Sequence, residues 1–347
     1  MTTTTSGRDS MPSDEGRTAE GVLDDAVEPV PVRGRGRMAG NPTEIPARGW
    51  RDILVRVYKR IIQDRIGLIA AGVTFYVILG LFPAIVALVS IYGLLTDASA
   101  LQDQIQFLAG YVPQDALSLL ATELQRITDL RGGSLGIAAI ASIAVALWSV
   151  NTAVLALFQA LNVAYGEAEK RSIFRLYGIG IAVTLGIIVV AIIVVNTIIV
   201  LPLLLTALGF SERAEFIMRL LSAPLFFVLM TAAASVLYRI GPSRRHARWH
   251  WISLGSVLFS VLWIAVALGL SFYLSRFADY TATYGSLGAA IGLMLWVYAA
   301  VYIFLAGAEI NAEIEHQTSR DTTVGPDRPM GARGAHVADT LGAVSGD

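Results

Sequence analysis

Seven polar side chains lie within or beside stretches that are otherwise continuous hydrocarbon: Thr74, Tyr76, Asn151, Asn162, Tyr165, Glu309 and Asn311. A polar group in a bilayer is costly unless it is partnered or wetted, so such residues mark an internal cavity, a substrate or proton site, or a buried ion pair. Glu309 is the sharpest of them, a lone carboxylate adjoining an uncharged span. Its expected partner is an arginine such as Arg65, Arg175 or Arg239. Two roles stay open for it, an ion pair closing a helix bundle and a substrate or proton site. Thr152 and Asn196 are further intramembrane polar candidates. Asn162 and Tyr165 follow the second span at a comparable depth.

Two other patterns resemble reactive motifs. His246 and His250 are four residues apart and would share a helix face, as a metal pair does. They stand among Arg239, Arg244, Arg245 and Arg248, whose charge repels a cation and suits instead a basic collar facing lipid phosphates. Gly132, Ser134 and Gly136 spell a nucleophile elbow, but that device needs a preceding strand and a histidine within reach. Here the pattern opens an apolar helix on the face opposite every histidine. No catalytic residue, metal site or cofactor is expected.

The elements that hold these residues follow from hydropathy. The chain is 55% hydrophobic and only 15% charged, with no cysteine; its mean hydropathy is +0.62. Soluble domains carry ~25% charged residues, so this is a membrane protein. Between Arg65 and Asp97 there is no Asp, Glu, Lys, Arg or His, a run longer than the ~20 residues a span needs. Pro83 lies inside it and is expected to kink or divide the helix. Spans are expected at about 67–95, 135–158, 176–205, 220–240, 251–274 and 284–308. Helix-spaced small residues, Gly285, Gly288, Gly292 and Gly307 in the last span and Gly178, Ala182 and Gly186 in the third, suit close helix packing.

Flanking pieces complete the plan. Residues 1–47 and 312–347 are polar and poor in large apolar side chains, and are expected to be disordered tails. Between 48 and 65, Trp50, Ile53, Leu54, Val57, Tyr58, Ile61 and Ile62 recur at helical spacing against a charged face. That helix is expected to lie in the interface, its basic face on headgroups, or to pack on the ends of the bundle. A pair of amphipathic helices is expected over 101–130. Lys and Arg flanking alternate loops number thirteen (48–65, 170–175, 239–248) against five (126, 131, 213, 219, 276), which places both termini in the cytoplasm.

Four separated blocks resemble the YihY/BrkB family of bacterial inner-membrane proteins. They are Ala70 to Tyr76 with Leu81 to Pro83; Trp148–Ser149 with Leu157 to Gly166; Leu237 to Arg239 with Pro242; and Tyr284 to Gly288 running on to Gly307 to Asn311. The resemblance spans about Trp50 to Glu315. It implies an all-α, polytopic inner-membrane protein, a bundle of six helices in 66–311. Members carry two labels, virulence or serum-resistance factor and ribonuclease BN. The second requires clustered His and Asp ligands, and the four histidines form no such cluster.

The expected function is a transporter-like or lipid-handling role in the cell envelope, with a cavity lined by Thr74, Tyr76, Asn151 and Glu309. The alternatives are a non-transporting scaffold for envelope assembly and, third, a ribonuclease. Expected partners are the bilayer, anionic phospholipids in particular, and a second copy or an assembly partner, with no nucleic acid.

Overall fold

In lipid each segment must satisfy its own backbone donors and acceptors, so the apolar stretches become helices. The computed structural model describes residues 34–95, 135–195, 212–276 and 287–344, all within one unit. These residues are nearly all helical, and one antiparallel bridge joins Ala247 to Thr323. A 3-10 turn at Pro42–Glu44 leads into α1 (Ala47–Gln63), followed by α2 (Ile66–Leu95), α3 (Leu135–Ala164) and α4 (Ile173–Val195). Then come α5 (Glu212–Ile240), α6 (Trp249–Arg276), α7 (Leu287–Glu315) and the single turn α8 (His336–Asp339).

Helices α2 to α7 fall at the six expected places, but they do not all qualify as spans. Among the described residues four helices are long and apolar enough to cross a membrane, within α3, α4, α6 and α7. The bent pair α1 and α2 makes a fifth if counted as one span. Among the described residues of α5 the apolar stretch Pro224–Ile240 is shorter.

The first span turns at its entry. Helix α2 runs through Pro83 without a break. The chain bends instead by 59° between α1 and α2, at Asp64 and Arg65. Arg65 takes φ of 51°, a left-handed conformation that a side chain adopts only where the surroundings impose it. Helix α1 packs on the bundle: Ile53 and Val57 join Trp251 and Ile314 in a small core, while Leu54, Tyr58 and Ile62 stay exposed. Its charged face is not all solvated, since Asp52 and Arg56 are buried.

At the centre, α2 lies along α3, α6 along α7, and α5 against α6. Tyr238 stacks on Phe304 at 4.6 Å between ring centroids, and Phe259 meets the same ring edge-on at 5.3 Å. The α3–α4 link, the α5–α6 link, α1 and the residues after α7 all meet at one polar end. These are the pieces that carry the excess of arginine and lysine.

Within the expected tails, residues 34–46 and 316–344 are folded onto that end. Residues 34–46 and 316–344 bury few large apolar groups, and hydrogen bonding takes the place of a core. Arg333 is 5% exposed and donates to the carbonyls of Arg328, Arg320, Ala338 and Ser319 at 3.0, 3.1, 2.6 and 2.6 Å. Asp339 accepts from the amides of Gly331, Arg333 and Gly334 at 2.8 to 2.9 Å. Burial opposes its charge, yet these amides hold its carboxyl below the usual range. The amphipathic pair expected at 101–130, with Asn196, Gly285 and Gly132 to Ser134, lies outside the described residues, as do residues 1–33 and 345–347.

Arg333→Ala strands four carbonyls at once. It is expected to cost ~2–4 kcal/mol locally and to open residues 316–344 to limited proteolysis in detergent, while the helical circular dichroism signal holds.

Candidate functional site

All six long helices border an apolar recess of about 390 Å³ at the middle of the bundle. Its walls include Val73 and Val77 of α2, Val150 and Leu157 of α3, Leu237 of α5 and Phe304 of α7. The expected polar cavity is absent from this place, because Thr74, Tyr76, Asn151 and Glu309 do not line the recess. Thr74 is buried and donates its hydroxyl back to the Ala70 carbonyl at 2.7 Å, satisfied within its own helix. Tyr76 is 39% exposed and turns outward beside Phe75. Asn151 is buried against Gly180 of α4, and its Oδ1 has no hydrogen-bond partner. Spacing gave these residues the right depth but not the direction in which each faces.

Asn311 is fully buried and pins α7 to α6. Its Oδ1 accepts from the Gly255 amide at 2.8 Å and its Nδ2 donates to the Ile252 carbonyl at 3.1 Å. Beside it Gly255 and Gly307 let the two helices touch, since a Cβ at either would strike the other's carbonyl oxygen. Gly292, Gly178 and Gly186 behave differently: a Cβ at each meets nothing among the described residues. Gly288 lies in α7.

Glu309, 1% exposed, has none of the three expected arginines beside it. Arg65 is exposed, Arg175 borders a pocket at the polar end, and the Arg239 guanidinium stacks 4.2 Å over Trp249. The Glu309 carboxyl faces Asp64, at the α1–α2 bend, within hydrogen-bonding reach. Burial raises the Asp64 carboxyl despite the pull of Arg60. The strong pairs are formed by carboxylates further along α7. Glu313 takes the Arg56 guanidinium, which also reaches Gln317 at 2.8 Å. Glu315 takes Arg244 through both oxygens at 2.8 and 2.9 Å, with the Thr322 hydroxyl at 3.0 Å. The sequence signal for these was Glu309, Glu313 and Glu315 following an uncharged span, which extends the last helix past 308 and gives it a charged polar turn.

The remaining polar end is built around Asn162, which accepts from the Ser243 amide at 2.7 Å and donates to Glu169 at 3.0 Å. One buried amide thereby ties the α3–α4 and α5–α6 links together. Hydrogen bonds from Arg171 hold the Glu169 carboxyl down at about 2. Tyr165 is wholly buried beneath the Arg244 guanidinium, 4.6 Å from its ring, and burial raises its hydroxyl above the usual range. Arg245 donates its amide to the Gly334 carbonyl at 3.0 Å, and Arg248 is engaged with Asp327 at 2.6 Å. Much of the expected collar therefore holds the tail. His246 precedes α6 and meets the Arg239 carbonyl at 2.9 Å, whereas His250 lies inside that helix beside Trp251, so the two share no helix face. No group of three or more metal-ligating side chains occurs among the described residues.

The family described as Virulence factor BrkB matches residues 57–330, most of the chain. The chain belongs to this family. It is 32% identical over 257 residues to a Bacillus subtilis (strain 168) protein named ribonuclease-like protein YfkH, covering 70% of this chain and 88% of that one. It is 27% identical to a UPF0761 membrane protein of Nitrosospira multiformis, over 84% of this chain and 66% of the relative. A UPF0761 membrane protein of Verminephrobacter eiseniae is 26% identical over 76% of this chain and 62% of its own length. The chain thus spans somewhat under two thirds of both UPF0761 relatives. No solved structure matches it. As a BrkB-family chain with several candidate spans it is a membrane protein.

Asn311→Leu removes both ties to α6 and takes the side-chain acceptor from the buried Gly255 amide, while the Ile252 carbonyl keeps the Ser256 hydroxyl. It is expected to lower stability by ~1–3 kcal/mol, read as a lower melting temperature in detergent.

Proposed function

We propose that this BrkB-family protein is a transporter-like, lipid-handling protein of the cell membrane, with its polar end and both termini in the cytoplasm. The observation that carries the reading is the recess. Its volume of about 390 Å³ falls within the ~300–1,000 Å³ typical of ligand sites, and its walls are almost wholly apolar. Such a space suits an acyl or isoprenoid chain rather than an ion or a sugar. The arginine-rich links gathered at one end support the orientation, because cytoplasmic loops carry the excess of Lys and Arg. A scaffold would favour a filled bundle, which the recess counts against. The ribonuclease-like name belongs to the Bacillus relative; the lipid reading assigns no RNA chemistry to this chain.

Two measurements test the proposal. Ala153→Phe combined with Ala300→Phe places two rings into the recess. Lipid co-purifying with the protein, measured by mass spectrometry, is expected to fall about tenfold, equivalent to ~1.4 kcal/mol of affinity, with the melting temperature unchanged. An unchanged lipid content overturns the reading. For orientation, the cysteine-free chain permits single labels. Ala168→Cys and His246→Cys are expected to resist a membrane-impermeant maleimide in intact cells and to react after lysis; labelling in intact cells reverses the topology.

A further inference from the structure

We propose that the pocket between the α3–α4 link, the α5–α6 link and the tail is a phosphate-binding site, taking the phosphoryl group of a lipid headgroup or of a soluble phosphoester. The lipid reading above bears only on where the phosphate comes from; the site itself stands on its own residues.

The pocket measures about 480 Å³ and is bordered by Lys170, Arg171, Arg175, Arg244 and Arg245, with no carboxylate in its lining. Three of these cations are already matched: Lys170 by Glu167 at 2.9 Å, Arg171 by Glu169 at 2.7 Å and Arg244 by Glu315 at 2.8 Å. Arg175 and Arg245 have no carboxylate partner among the described residues, which leaves the border of the pocket with a surplus of positive charge.

The buried donors point the same way. The Arg244 side chain is 1% exposed, and although its Nη2 is held by Glu315, its Nη1 has no hydrogen-bond partner. The Nη1 of Arg245 is likewise buried and unmatched. A guanidinium N–H shut away from water without an acceptor is costly, so two such donors beside one pocket call for an acceptor with several oxygens. The first turn of the 23-residue helix α4 also borders the pocket, through Ser172 and Arg175. Its leading amides lack intrahelical acceptors and its dipole favours an anion. A phosphoryl group supplies several acceptor oxygens and the negative charge together, and arginine forks match it.

The surroundings suit a ligand with one end in the bilayer. Ile173 and Phe174, next to the pocket on α4, are 72% and 91% exposed, and Ile179 and Ile240 complete its wall. Gly334 of the tail closes another side.

The chain has only two lysines, Lys59 and Lys170, so an amine-acylating reagent reads the site with an internal control. The purified full chain is placed in phosphatidylcholine nanodiscs with and without inorganic phosphate, and separately in phosphatidylglycerol nanodiscs without phosphate. Labelling of Lys170, followed by mass spectrometry, is expected to slow about tenfold when ligand stands tenfold above its dissociation constant, while Lys59 is unaffected. Arg245→Ala and the exposed Arg175→Ala should each abolish the protection. Protection by phosphatidylglycerol, with or without protection by phosphate, establishes the site with lipid as the source. Protection by inorganic phosphate alone establishes the site for soluble phosphoesters and withdraws the headgroup from the lipid reading. No protection in any arm, equal protection of Lys59, or protection that survives in both variants overturns the proposal.

Discussion

The polar end of this protein hangs on one ion pair, Arg244 with Glu315, sealed from water at 1% and 0% side-chain exposure. Removing either partner of a pair so deeply buried leaves a charge with nothing to answer it, at a cost of ~3–5 kcal/mol. The pair also fixes its surroundings. It joins the α5–α6 link to the last turn of α7, receives Thr322 from the tail and lays the guanidinium over Tyr165 at the end of α3. Three helices and the tail converge on two side chains.

The middle of the bundle obeys a different rule. Between apolar helices in lipid there is little hydrophobic force, so close packing and hydrogen bonds decide which helices touch. Helices α6 and α7 are locked by Asn311 and by the crossing of Gly255 and Gly307. Helix α5 joins them through the Tyr238 hydroxyl, which donates to the Phe304 carbonyl at 2.7 Å. The recess lies where the facing side chains are small, as at Ala153 and Ala300, while α2 and α3 stay close at Gly80, where a Cβ would meet the Ser149 carbonyl.

The sequence reveals the helices because hydrophobicity along the chain is a one-dimensional property. It reveals depth for the same reason, which is how Asn162, Tyr165, Glu309 and Asn311 could be picked out as residues of one end. It does not reveal azimuth. Thr74 and Tyr76 share a helix with the recess-lining Val73 and Val77 but turn elsewhere, and Gly292 and Gly178 have the spacing of packing glycines while a Cβ at either meets nothing among the described residues. Composition counts apolar burial and does not show an arginine such as Arg333 acting as a hub for backbone carbonyls. Pro83 does not divide α2, since a proline within a helix weakens it without having to end it, whereas the bend at Arg65 carries no strong local signal.

The tail that completes this end lies after every long helix in the chain, and translation proceeds from the other direction. The helices are therefore synthesised before residues 316–344, so Glu315 and Arg248 wait for Thr322 and Asp327. Closure is thus a late event in biogenesis, and a nascent chain stalled beyond α7 would hold its helices with this polar end unfinished.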